Sequence, residues 1–492
     1  MSNDTRIRKT DAPAKHVTPK EFFVFIACAF LFTNMEGMAG NFRQKYLVDV
    51  LLLPSESVGA INFICTLAPF ALAFFFAMVV DRAPKPGKDK FRPLVLIAAV
   101  PTGIFAVLMF WTPAILSELA VVLMIAYQIT ITILYEGTKF FAGTVNKIAV
   151  VITPDMKERD HILSFRSIAS AIGNSAPLVV VMVIGLLRKP GIISSEAMMY
   201  LVSAALCAVA STAILIAGAR TLKERVAYSA ERANPLLGYQ DILKNKYAWL
   251  VLLSEFLKNF RSIASYMGIF LAAALLGDAS KFLLFGLPTG IGTMVGMLIV
   301  RALLKKLNSK QIYILSGVYS VIANAGAFAA GAYAFKHPGM LYQVIFFGFL
   351  FLIGLQYGAS NLLPDMFKAD ILEDLEVKTH KRLEASLDFV ISIGSNVSNA
   401  VAKGIAPMIL YGASALNFIR YVQQADGEYL PQSDDTKMRL LLVYTMGQGV
   451  FMLLGALPFL LYRLTGARKE KVHAEVMAYR ESIAGGEKED AG

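Results

Sequence analysis

The sequence predicts an all-α membrane protein of about 12 transmembrane helices in two six-helix halves, with both termini in the cytoplasm. Three observations predict it. Of 492 residues, 56% are hydrophobic and only 17% charged, where a soluble protein carries about 25% charged residues. Apolar runs of the length a bilayer requires, about 20 residues, recur from end to end with no long polar block. The tripeptide Asn-Phe-Arg stands behind a glutamate in the first span of each half, at Glu36 and Asn41-Phe-Arg43 and again at Glu255 and Asn259-Phe-Arg261.

Taken in order, residues 1–20 form a polar tail with Arg6, Arg8, Lys9, Lys15 and Lys20 and no signal-peptide pattern, so the tail is expected in the cytoplasm. Spans are expected near 21–50, 57–80, 93–112, 117–148, 164–187 and 196–219, making a first half of 21–220. A basic loop, 221–246, divides the chain. Spans near 247–276, 280–304, 311–335, 339–364, 385–412 and 438–464 make a second half of 247–464, and 465–492 is a cytoplasmic tail, helical at first. Loops 81–92, 152–163, 221–246, 305–310 and 366–384 carry Lys or Arg, whereas 51–56 and 112–116 carry none, which sets the orientation. The net charge of +11 therefore follows the membrane topology rule, and nucleic-acid binding is not expected. Cys28, Cys65 and Cys207 fall inside apolar runs without metal or disulfide spacing and read as packing residues. No metal, nucleophile–base or phosphate-loop motif appears, so no enzyme and no cofactor are expected.

Intramembrane charges cost roughly 2.5–3.5 kcal/mol or more each and are functional by default. Span one holds Glu36, Asn41, Arg43, Gln44 and Lys45, span four Glu136 and Lys139, span seven Glu255, Lys258, Asn259 and Arg261, and span eleven Asp388. Glu36 and Arg43 share a helix face, as do Glu136 and Lys139, and Glu255 and Lys258. These ions either neutralise one another or form an anion site. In the second reading Arg43 and Arg261 grip a carboxylate, with Lys139 or Lys258 as a point charge and Asn41, Gln44 and Asn259 on hydroxyls. Glu36, then Asp388, Glu255 and Glu136, are the candidates to carry a coupling proton.

Three further stretches are informative: Asp81-Arg82 with Gly87-Lys-Asp-Lys-Phe-Arg-Pro93, Thr153-Pro-Asp-Met-Lys-Glu-Arg-Asp160 with Arg166, and Ala369-Asp-Ile-Leu-Glu-Asp-Leu-Glu-Val-Lys-Thr-His-Lys-Arg-Leu-Glu384. In order and spacing they resemble the cytoplasmic loops of the glycoside–pentoside–hexuronide:cation symporter family, to which the melibiose carrier belongs. The resemblance implies the major-facilitator fold, alternating access, a sugar-derived substrate and a cavity lined by helices one, four and seven. It also places Asp81, Arg82, Arg159, Asp160, Arg166, Asp370 and Glu376 in ion pairs of an inner gate, shut in the outward-facing state. The chain departs from the family where the melibiose carrier has two cation-binding aspartates on its second helix: Pro69 and Ala73 stand there, and 57–80 holds no acid.

The expected function is secondary uptake of a sugar-derived solute, an acidic glycoside or uronide oligosaccharide, by a monomer in the bacterial inner membrane. The coupling ion is H+, with Na+ second and uniport open. The alternatives are a neutral oligosaccharide, a lipid-like zwitterion, or a membrane sensor without transport.

Overall fold

The computed structural model describes residues 16–80, 89–113, 120–153, 155–188, 191–225, 239–337, 339–379, 383–424 and 430–489. Asp81 and Arg82, and the side chain of Asp160, lie outside the described set. Among the described residues there is no strand.

The first group of helices is α1 (Pro19–Lys45), α2 (Ser55–Val80), α3 (Arg92–Leu108), α4 (Val121–Ala142), α5 (Met156–Leu186) and α6 (Glu196–Thr221). After the short helix Tyr239–Lys244 comes the second group. It is α7 (Lys246–Asn259, with further segments Ser262–Tyr266 and Gly268–Leu276), α8 (Leu283–Leu303), α9 (Ser309–Lys336), α10 (Met340–Thr379), α11 (Glu384–Leu410) and α12 (Asp434–Ala456). Helix α13 (Ala467–Glu489) follows and packs against α10. Among the described residues ten helices are long and apolar enough to cross a membrane, and Arg92–Leu108 is a shorter apolar one.

Packing repeats with a step of six helices. Helix α1 lies against α5 and α6, α3 against α4 and α6, and α2 against α4. In the second group α7 lies against α11 and α12, α9 against α10 and α12, and α8 against α10. The two groups meet where α2 packs on α11, α5 on the start of α8, and α1 on the last segment of α7. Between the two groups, α2 comes close to α11 at Gly59, where an added Cβ would strike the Gly404 carbonyl. Glycine is required there for the lack of a side chain, since helices pack this closely only over small residues.

Two expectations need correcting. The loop expected at 366–384 is helical as far as Thr379, so α10 has 40 residues. Leu363, Phe367, Ile371 and Leu375, spaced by four and buried, carry its apolar stripe on beyond the span. Likewise 156–163, expected as loop, forms the first turns of α5.

Three helices leave α geometry just after their charged residues. Helix α1 passes into a π turn at Tyr46–Val50, α4 into a 3-10 turn at Gly143–Lys147, and α7 breaks after Asn259. At that break the Arg261 N–H donates to the Lys258 carbonyl, three residues back, at 3.1 Å. Non-helical backbone at membrane depth is tolerated where protein or a cavity satisfies it, and π turns concentrate at functional sites.

Candidate functional site

The charged residues gather in two clusters, one in each group of helices. In the first, Lys139 Nζ lies 3.5 Å from the Glu36 carboxylate and 2.6 Å from that of Glu136, so two carboxylates share one ammonium. The same ammonium stands over the Tyr135 ring, 5.4 Å from its centroid. Arg43 is 9% exposed. Among the described residues its Nη2 reaches the Cys65 thiol of α2, at 3.9 Å, and its buried Nε has no partner. The Tyr135 hydroxyl and Gln128 Oε1 of α4 are buried and unpartnered as well. Buried polar atoms are nearly always satisfied, so such a concentration marks a place where a ligand or water belongs.

Lys403 of α11 completes this cluster from the other half. It lies within electrostatic reach of Glu136, Lys139 and Arg43. Its backbone carbonyl accepts from Asn62 Nδ2 of α2 at 3.2 Å. Among the described residues it has no carboxylate partner. No sequence-based expectation falls on it, although a lysine inside the apolar run 385–412 is the same signal that marks Asp388.

In the second cluster Lys258 is ion-paired with Glu255, three residues before it. The Arg261 guanidinium lies 4.7 Å from the centroid of Tyr357, whose hydroxyl donates to Gln448 of α12. Arg261 Nη1 is buried without a partner. Gln44 and Asn259 are half-buried. Asn41 instead ties helices together, its Nδ2 donating to the Gly37 carbonyl at 2.8 Å and to that of Asn174 on α5 at 3.4 Å. Asp388 stands apart. Its side chain is 60% exposed and pairs with Lys368 of α10 at 3.2 Å.

At the face where α1 begins and α12 ends, here the terminal face, the ions with described partners find them in their own half. Asp370 is held by Lys469 of α13 at 2.7 Å, and Glu373 by His473 of the same helix at 3.2 Å. Asp374 accepts from Asn245 at 2.9 Å and from Lys378 at 2.5 Å. Glu21 pairs with Arg225 at 2.7 Å. Glu376 is buried, Arg159 is half-buried, and Arg166 has a buried Nε without a partner.

The opposite face is where hydrogen bonds join the halves. Lys45, the last residue of α1, and Asp49 of the π turn form an ion pair with both residues 1% exposed. Tyr421, in the connection from α11 to α12, accepts from Lys45 Nζ at 3.1 Å and donates to Asp49 at 2.9 Å. Burial raises the phenol's pKa above its ordinary value, with Lys45 opposing and Asp49 adding to the rise, so the hydroxyl keeps the proton it donates. The Gln424 N–H donates to the other Asp49 oxygen at 3.0 Å. Gln423 Nε2 donates to the Val48 carbonyl at 2.8 Å, and the Tyr411 hydroxyl to that of Leu53 at 2.7 Å. Asp49 is i+4 from Lys45 and legible as its partner, whereas no local signal marks Tyr421.

A family model described as "MFS/sugar transport protein" matches residues 23–466. An Escherichia coli (strain K12) protein named "Putative glycoside/cation symporter YagG" is 22% identical over 481 residues, covering 92% of this chain and 93% of that protein. Among solved structures, the nucleoside transporter NupG (D323A mutant) superposes with a TM-score of 0.62 at 13% identity, over 89% of this chain and 99% of that one. The inward-open xylose transporter XylE from E. coli does so with a TM-score of 0.58 at 14% identity, over 92% and 99%.

Proposed function

The chain belongs to the MFS/sugar transport protein family, and from that premise we propose that it takes up an acidic glycoside or uronide oligosaccharide across the bacterial inner membrane, by alternating access and in symport with a proton. That it is a multi-pass membrane transporter and not an enzyme follows from the family, the membrane-length helices and the fold.

One observation carries the substrate class. Arg43 and Arg261 hold matching places in the two halves, have no carboxylate partner among the described residues, and each bury an N–H with nothing to accept it. A guanidinium in a dry site is most stable with a bidentate carboxylate. A neutral sugar offers hydroxyls, which leave the charge uncompensated. Asn259 and Gln44 beside them supply hydroxyl contacts. The E. coli relative, named as a glycoside/cation symporter, supports a glycosidic solute and a coupling ion.

Glu36 and Glu136 around the single Lys139 favour the proton. Glu36 is the more distant of the two from that ammonium, at 3.5 Å against 2.6 Å, and so is the carboxylate placed to carry the proton while Glu136 keeps the ion pair. Sodium is the less favoured ion. On α2, Pro69 and Ala73 stand where the melibiose carrier binds its cation, and neighbouring Phe70 stacks on Phe389 of α11 at 5.9 Å. A hard cation needs oxygen ligands, which these residues do not offer.

The test is uptake into vesicles of glucuronides, galacturonides and their neutral counterparts, under imposed pH or sodium gradients. Acidic glycosides are expected to accumulate with a proton gradient, and Arg43→Gln or Arg261→Gln to lose roughly ten-fold or more in apparent affinity. Equal uptake of neutral disaccharides, indifferent to both substitutions, would refute the reading.

A further inference from the structure

We infer, on the acidic-substrate reading, that Tyr357 of α10 positions the Arg261 guanidinium for the substrate's carboxylate. Tyr357 thereby sets how strongly the carrier prefers an acidic ligand to its neutral counterpart.

Arg261 sits in the break of α7, between the helix that ends at Asn259 and the segment that begins at Ser262. Its backbone N–H is spent on the Lys258 carbonyl at 3.1 Å. Among the described residues no ion pair fixes its side chain, and Lys258 is already held by Glu255. An arginine side chain is long and rich in rotamers, and that freedom opposes each contact it makes unless a neighbour restrains it.

Tyr357 supplies the restraint. The guanidinium lies over its ring, 4.7 Å from the centroid. The ring is fixed in turn, because its hydroxyl donates to Gln448 of α12, which is buried. Three helices therefore meet on one cation: α7 brings the charge, α10 the ring and α12 the anchor for the ring. A ring face attracts a cation without consuming a hydrogen bond. The N–H groups of Arg261 are thus left for an oxygen ligand, and Nη1 is buried with none to accept it. The face of Tyr357 turned to Arg261 is closed to a sugar ring, so the tyrosine acts there through the arginine.

The first half repeats the device. Helix α4 packs in its group as α10 does in the second, and its Tyr135 underlies Lys139, 5.4 Å from the ring centroid. Lys139 is neutralised by Glu36 and Glu136, whereas Arg261 has no carboxylate partner among the described residues. The same support thus carries a paired cation in one half and an open one in the other.

Calorimetric binding to the purified full-length carrier tests this. The ligands are the uronide that the uptake panel ranks first and its methyl ester, and the quantity read is the ratio of their affinities, which an inactive fraction of protein does not change. Tyr357→Leu is expected to lower that ratio roughly ten-fold, chiefly by weakening the acid. Tyr357→Phe keeps the ring and is expected to stay within about three-fold of wild type. In an Arg261→Gln background Tyr357→Leu should change the ratio no further, since it acts through the arginine. A wild-type ratio in Tyr357→Leu, a Phe variant as poor as Leu, or a full additional loss in the Arg261→Gln background would each overturn the inference and leave the acidic-substrate reading standing. A ratio unchanged by Arg261→Gln itself would overturn Arg261 as the carboxylate's partner, and the inference with it.

Discussion

The hydroxyl of Tyr421 is a single atom between the halves, accepting from Lys45 and donating to Asp49 in a place water does not reach. A hydrogen bond to a charged group contributes about 1.5–3 kcal/mol. Tyr421→Phe should therefore loosen the closed face by roughly ten-fold or more. With Cys28 and Cys207 replaced by serine, alkylation of Cys65 by an impermeant reagent from outside reads this directly, and an unchanged labelling rate would exclude the latch. Asp49→Asn is more severe, because it leaves Lys45 buried without its counter-ion. Breaking a buried pair in this way costs about 3–5 kcal/mol, and thermal unfolding in detergent should show it as a lowered midpoint. At this scale the sequence was informative in part. The i,i+4 relation of Lys45 to Asp49 is written in it; the arrival of Tyr421 from 372 residues away is not.

Helices α1, α4 and α7 each depart from α geometry within about a turn of a charged residue, Lys45, Lys139 and Lys258 respectively. Such departures free backbone groups and re-aim side chains, which suits helices that border a cavity better than helices that face lipid. The contact of α2 with α11 is the counterpart, a straight approach made possible by Gly59 against Gly404. Gly59→Leu should force these helices apart at the closed face. Transport is expected to fall to near background while the amount of protein in the membrane stays close to normal; wild-type rates would show that α2 and α11 do not need this contact. The limits of sequence reasoning are plain in α10. Acids and lysines beyond Pro364 predict a loop there, with the apolar stripe ending at the span 339–364. Burial against the second half's core continues instead through Ile371 and Leu375.

In the whole molecule the closed face and the terminal face differ in kind. One is joined across the halves by the Lys45–Asp49–Tyr421 network. At the other, Asp370, Glu373 and Asp374 bind partners from their own half, including α13. Asp370, one of the residues expected in an inner gate, binds Lys469 of its own half in this structure. If Glu36 carries the coupling proton, Glu36→Gln should abolish proton-driven accumulation yet keep substrate exchange across the membrane, since exchange needs no net proton movement. Full accumulation by that variant would remove Glu36 from coupling. The sequence by itself determined the membrane-spanning helical class, the doubled arrangement, the family and most of the charged residues at depth, because each rests on local composition, on helical spacing or on short motifs. Only the tertiary structure decided which of those charges lack partners, that Lys403 joins Arg43 from the other half, that Asp388 is spent on Lys368, and that Tyr421 closes one face. Pairing at a distance depends on how the helices pack, and a chain's local periodicity carries no record of which faces meet.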